Sequence, residues 1–222
     1  MFLKIIIVMT AALALTACQS YTVAPYSPSP DTVRSIKELK LKETISIGEV
    51  SVPSNIDLSC RAMGPLAFPN RRSLSEYVKK AMEDELKLAD TFAYQNPKVV
   101  LTAEITKFEM SSMKNIVKGY FDIDMKVNSS NGKSLRASEY YEFSSGFDGY
   151  TACKNTSDAL MLATQNLVAK LYMNPNFIDL TKTATTTTTT KDKPKKSSFP
   201  PNSPTLQPSP KKLNSGGSEP SI

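Results

Sequence analysis

Three arginines, Arg61, Arg71 and Arg72, fall within one stretch, residues 54–72, that also carries Phe68, Cys60, Gly64, Pro65 and Pro69. A guanidinium is a planar fork of donors matched to carboxylate and phosphate oxygens. The stretch is therefore expected either to hold such an anion or to be a solvated loop. Carboxylates occur in pairs as Glu83 with Glu85 and Asp122 with Asp124. Glycosidase chemistry would need one acid with a raised pKa and a defined separation across a cleft. Spacing alone supplies neither, and solvated faces are the simpler reading. The chain has no histidine, which removes the commonest general base and metal ligand and with them zinc hydrolase and Ser-His-Asp chemistry. No glycine-rich phosphate loop is present either. The expectation is a protein without catalytic activity, metal or dissociable cofactor.

The elements that must position these residues can be read from periodicity. Leu39, Leu41, Ile45 and Ile47, then Val50 and Val52, suggest a first strand with a bulge near Gly48, ended by Pro53. Residues 54–72 form a connection long enough to be functional or mobile. Ser73 and Glu76 have capping-box spacing, and Leu74, Tyr77, Val78, Ala81, Met82 and Leu86 follow at helical intervals, predicting a helix to about Ala89. Two alternating runs come next, Val99, Leu101, Ala103 and Ile105, then Phe121, Ile123, Met125 and Val127. Asn131-Gly132 predicts a type I′ hairpin into a fourth strand over residues 135–143, on which Tyr140 and Tyr141 point to opposite faces, one a surface ring open to a recognition role. A second helix is expected after Cys153, with Leu160, Ala163, Leu167, Val168 and Leu171 as its stripe and Asn174-Pro175 as its stop. Strands apolar on one face need that face covered. The predicted fold is an α/β (α+β) two-layer sandwich: a four-stranded, mostly antiparallel sheet in the order β-α-β-β-β-α, with both helices on one face.

At the amino end Lys4 precedes an apolar run from Ile5 to Leu15, broken by Thr10. That is the layout of a secretory leader, and the run is shorter than the roughly 20 residues a membrane-spanning helix requires. It ends in Leu15-Thr16-Ala17-Cys18, which resembles the lipobox of bacterial lipoproteins; the other reading is an ordinary leader with a chance cysteine. The resemblance implies cleavage before Cys18, acyl chains on its sulfur and amine, and firm anchoring, since each buried methylene contributes about 0.8 kcal/mol. The residue after Cys18 is Gln19 rather than an aspartate, which favours the outer membrane on its periplasmic side. With Cys18 occupied by lipid, Cys60 and Cys153 are the thiols left, in a compartment where disulfides persist. One bridge is expected, worth about 4 to 5 kcal/mol for a loop of roughly 93 residues, unless both remain unpaired buried thiols.

The formal charge of +6 is unevenly spread: residues 191–222 hold six lysines against Asp192 and Glu219, a net +4, and the leader holds Lys4, leaving about +1 for residues 18–190. The basic character is therefore no sign of a nucleic-acid-binding domain. The expected organisation is a signal peptide over 1–17, a Ser- and Pro-rich tether over 18–35, one α/β domain over 36–180, and a disordered Thr/Pro/Lys-rich tail over 181–222. Some forty extended residues could reach roughly 120 Å, so Lys191, Lys193, Lys195 and Lys196 could contact peptidoglycan or an anionic surface, or merely solvate the tail. The combination resembles the accessory lipoproteins of the bacterial envelope, such as those of LPS assembly or of lipid transporters. That likeness implies a non-catalytic assembly or binding role beside an envelope complex, partnered through one edge or face of the sheet. The alternative is a structural tether acting through the basic tail.

Overall fold

The computed structural model describes residues 21–42 and 44–183. In chain order the elements are β1 (Tyr21–Thr22), α1 (Pro30–Glu38), β2 (Ile45–Ser51), β3 (Ser59–Cys60), β4 (Gly64–Ala67), a 3-10 turn (Pro69–Arg71), α2 (Leu74–Leu88), β5 (Val99–Asn115), β6 (Lys118–Ser129), β7 (Ser134–Ser144), α3 (Gly149–Tyr172) and α4 (Phe177–Thr181). The main sheet runs β2-β5-β6-β7, with β2 parallel to β5 and the other neighbours antiparallel. A second, three-stranded sheet runs β1-β4-β3. The fold is mixed α+β with two sheets, richer than a sandwich of two helices on four strands. No helix among the described residues is long and apolar enough to cross a membrane.

Alternation drives the main sheet. Leu101, Ala103, Ile105, Phe121, Ile123, Met125 and Val127 are buried, while Thr102, Glu104 and Thr106 lie on the open face. The register slips between Ile47 and Val50, beside Gly48, as the sequence predicts. A second slip between Ile105 and Lys107 reverses the parity of β5, setting Phe108 and Met110 opposite Ile123 and Phe121. This bulge carries the strand on to Asn115, well past the run that alternation alone marks. Helix α2 packs on β2, and α3 on β7 and β6. The α2 amino terminus has the predicted capping box, Ser73 Oγ accepting from the Glu76 amide and the Glu76 carboxylate accepting from the Ser73 amide.

Four expectations are corrected. The hairpin after β6 is present, but Gly132 alone has positive φ (85°), and its amide bonds the Ser129 carbonyl. Asn131 instead turns its amide group onto the carbonyls of Asp179 and Lys182 at the end of α4, so a turn closed by glycine replaces the type I′ form. Helix α3 starts at Gly149, capped by Asp148, so Cys153 lies within it. Leu39 caps α1 and belongs to no strand. Finally, the tether expected over 18–35 is folded from its first described residue: Tyr21, Val23 and Tyr26 are buried, β1 pairs with β4, and Ser29-Pro30-Asp31 starts α1. Ser at the N-cap, Pro at the first helical position and Asp in the first turn form a helix start, which prevails over a composition that suggests a linker. The leader expected over 1–17 lies outside the described residues, as does the tail expected over 181–222 beyond residue 183; at its start, Thr181 is the buried last residue of α4.

Glu85 holds this segment down. It is fully buried on α2, and its Oε1 accepts from the Tyr26 hydroxyl at 2.6 Å and the Ser29 amide at 2.8 Å. Its Oε2 has no hydrogen-bond partner among the described residues. Burial raises its pKa above the ordinary carboxyl value, against the opposing pull of the bonds from Tyr26 and Ser29. A carboxyl raised in the folded state favours folding most when protonated, so its contribution is greatest below the unfolded pKa and is lost as pH rises through the folded one. Glu76, Asp148 and Glu142, whose pKa values are lowered, run the other way, so the comparison must be with Glu85→Gln. Thermal melts between about pH 4 and 7 should show wild type losing stability relative to Glu85→Gln as pH rises. A constant difference would mean that Glu85 is not perturbed.

Candidate binding groove

Pro53 ends β2, and the chain crosses to the small sheet, returns along β4 through Phe68, and enters α2 by way of the 3-10 turn. Between these passes lies an open groove of about 530 Å³, within the usual range of ligand pockets. Its floor is apolar, from Val52, Pro53, Ile56, Leu58, Leu66, Phe68 and Leu74, and Arg71 and Arg72 stand on its lining beside Ser73. Leu66, Phe68 and Leu74 are also core residues, so the floor is fixed by the packing beneath it. Asn70 and Arg71 lie in the left-handed region at φ 59° and 58°. Asparagine tolerates that region, whereas arginine there is uncommon, and such backbone concentrates at functional sites. The Glu76 carboxyl is held below its usual range chiefly by the Ser73 amide and hydroxyl, with a smaller contribution from Arg72. Since Ser73 Oγ is engaged in the helix cap, what the groove offers a ligand is apolar contact and charge-assisted hydrogen bonding by two guanidinium groups. An apolar segment or chain carrying a carboxylate or phosphate would satisfy both.

The structure separates the three arginines. Arg61 has a bound, structural role: its guanidinium donates to the carbonyls of Phe147 (2.9 Å), Gly146 (3.0 Å) and Ser112 (3.2 Å) and to Ser112 Oγ (3.3 Å). It ties the β3–β4 turn to β5 and to the loop before α3, so Arg71 and Arg72 remain as ligand candidates. Cys60 and Cys153 form a disulfide with Cα atoms 5.6 Å apart. Three of the four paired acids have hydrogen-bond partners. Glu83 bonds Lys87, Glu85 is the buried clamp, and Asp122 bonds Lys107 at 2.6 Å. Tyr141 packs against the core, while Tyr140 is half exposed and stacks on Tyr120 with centroids 5.5 Å apart. Lys114 Nζ lies 5.2 Å from the Tyr140 ring and also bonds Glu142, as does Lys118. Those two bonds draw the Glu142 carboxyl down to about 2. This cross-strand cluster carries no signal in linear spacing, because its members come from three strands. Cys18, Lys191, Lys193, Lys195 and Lys196 lie outside the described residues.

The chain matches no protein-family profile, and no curated protein matches it in sequence. Among solved structures it is similar to a Xanthomonas campestris protein of the DUF330 family, with 13% identity over 70% of this chain and 95% of the other and a TM-score of 0.46. It is also similar to a protein from Caulobacter crescentus described as a candidate lipoprotein, with 12% identity over 67% and 95% of the two chains and a TM-score of 0.36. A third is the PelC dodecamer from Paraburkholderia phytofirmans, with 12% identity over 60% and 87% and a TM-score of 0.35.

Proposed function

We propose that the chain is a non-catalytic accessory lipoprotein of a bacterial cell-envelope complex, anchored by acyl chains on Cys18 in the outer membrane and facing the periplasm. The observation that carries this reading is the groove: a preformed apolar trough with Arg71 and Arg72 at its rim, shaped for an apolar, acid-bearing segment of a partner protein. The Cys60–Cys153 bridge suits an oxidising compartment. The lipobox supplies the anchor, and no cofactor beyond that covalent lipid is invoked.

The test combines palmitate labelling with crosslinked pull-down from membranes. Wild type should take up label, and Cys18→Ser should take up none. Arg71→Glu with Arg72→Glu should leave labelling intact and cut the crosslinked partner by about 30-fold or more, as expected when charge-assisted contacts worth about 2 to 4 kcal/mol turn repulsive. An unlabelled wild type would overturn the anchor. Unchanged crosslinking would move the partner off the groove. Loss of function on deleting residues 182–222 alone, with the groove intact, would favour the tether acting through Lys191, Lys193, Lys195 and Lys196.

A further inference from the structure

Of the eleven large apolar side chains that are exposed among the described residues, six lie in three neighbouring segments. Met113 (64% exposed), Ile116 (70%) and Val117 (51%) form the tip of the β5–β6 hairpin, Phe147 (81%) and Tyr150 (51%) flank the start of α3, and Met63 (37%) lies in the β3–β4 turn. Hydrogen bonds hold these three places together. Arg61 reaches Ser112, Gly146 and Phe147, while the Ser145 amide donates to the Val117 carbonyl at 2.8 Å and Ser145 Oγ to the Ser112 carbonyl. Met63 crowds Gly149 so closely that a Cβ there would sit 3.0 Å from its Cγ. Turn chemistry does not account for this composition. The two residues between β5 and β6 are Ile116 and Val117, where glycine, asparagine or aspartate would be usual. Neither has positive φ, and neither is packed.

The chain enters the fold at the same end. The Tyr21 ring stands edge-on to Tyr150 with centroids 6.1 Å apart, and Cys18 precedes Tyr21 by three residues. At no more than about 3.6 Å per residue, the Cys18 Cα lies within about 11 Å of the Tyr21 Cα. Because β1 is pinned to β4 and Tyr26 to Glu85, the described chain from Tyr21 onward adds no slack of its own to that distance. Resting on the reading of Cys18 as lipidated, we propose that this apolar end is a membrane-contact surface. Ile116, Val117, Met113 and Phe147 enter the headgroup–acyl boundary of the bilayer that holds the anchor, and Tyr150 lies at headgroup depth. Apolar side chains with interfacial tyrosine are what such a boundary accepts, and a contiguous exposed apolar patch marks an interaction surface. The surface adds a second attachment to the acyl chains and fixes which way the domain faces.

The chain has no tryptophan, so a single introduced tryptophan reports without background from another. The full mature acylated protein, carrying Ile116→Trp or, separately, Phe147→Trp, is reconstituted into phosphatidylethanolamine–phosphatidylglycerol vesicles with and without brominated acyl chains. The control is Tyr94→Trp, 78% exposed and next to Ala93, whose amide bonds Ile45. That places it by the Val99 end of β5, the opposite end of the sheet. At an immersion of about 5–10 Å, Ile116→Trp and Phe147→Trp should shift to the blue and lose about half their emission to bromolipid, while Tyr94→Trp is unaffected. Equal, unquenched emission from all three would overturn the proposal. So would shielding from aqueous acrylamide without bromolipid quenching, which would assign the patch to a protein or a second copy. Palmitate on the same sample separates these failures from failure of the anchor itself.

Discussion

The disulfide between Cys60 and Cys153 joins two parts of the molecule that have unequal means of holding themselves together. The main sheet has long strands with clean alternation, and it meets α2 and α3 through a continuous core. The three-stranded sheet has strands of two, four and two residues, too short to persist alone. Bridging Cys60 to the body of α3 seats that small sheet on the core, and the neighbouring Arg61 then finds its three carbonyl partners. In turn β4 provides the template on which β1 pairs, and β1 sets where the chain enters the fold. The groove depends on the same chain, since Leu66 of β4 lines it together with Leu58 and Phe68 from the segments before and after that strand.

A consequence is that the groove and the apolar end share one set of restraints. Glu85 adds a second restraint on the entering chain through Tyr26 and Ser29, and Tyr77 a third through its hydroxyl to the Ala24 carbonyl at 2.9 Å. On the proposed reading, orientation at the membrane and presentation of the groove are set together, because the chain is bonded to the fold at β1, Ala24, Tyr26 and Ser29. The edge of β7 is guarded in the same economical way. Lys170 of α3 donates to the Ser138 carbonyl and pairs with the buried Glu139, which occupies part of an edge that would otherwise invite strand addition.

Much of this was legible in the sequence. Period-two runs marked β5 and β6, Ser73 and Glu76 marked the start of α2, and Gly48 marked the bulge. These are local rules in which each residue carries its own signal. The misreadings share one cause, namely partners far apart along the chain. Residues 18–35 read as a tether because Tyr26 has no meaning without Glu85, 59 positions on. Arg61 looked like a ligand because its acceptors lie 51 to 86 residues away. The parity reversal after Ile105 is visible only against β6, and Asn131 missed its expected turn because α4 uses its side chain. For the candidate site, the sequence singled out Arg61, Arg71 and Arg72 together, of which Arg71 and Arg72 line the groove, while the apolar floor beneath them comes from segments that no window spans.

The account stands on the bridge that seats the small sheet, and thiol accessibility in native material measures it most directly. Intact cells would be treated with an alkylating reagent under denaturing, non-reducing conditions, and peptides covering Cys60 and Cys153 would be mapped. The account predicts that both escape alkylation until reductant is added and that they are recovered as one linked peptide pair. Free alkylation of both without reductant would contradict it, leaving β1, Arg61 and the groove without the constraint from which their positions follow.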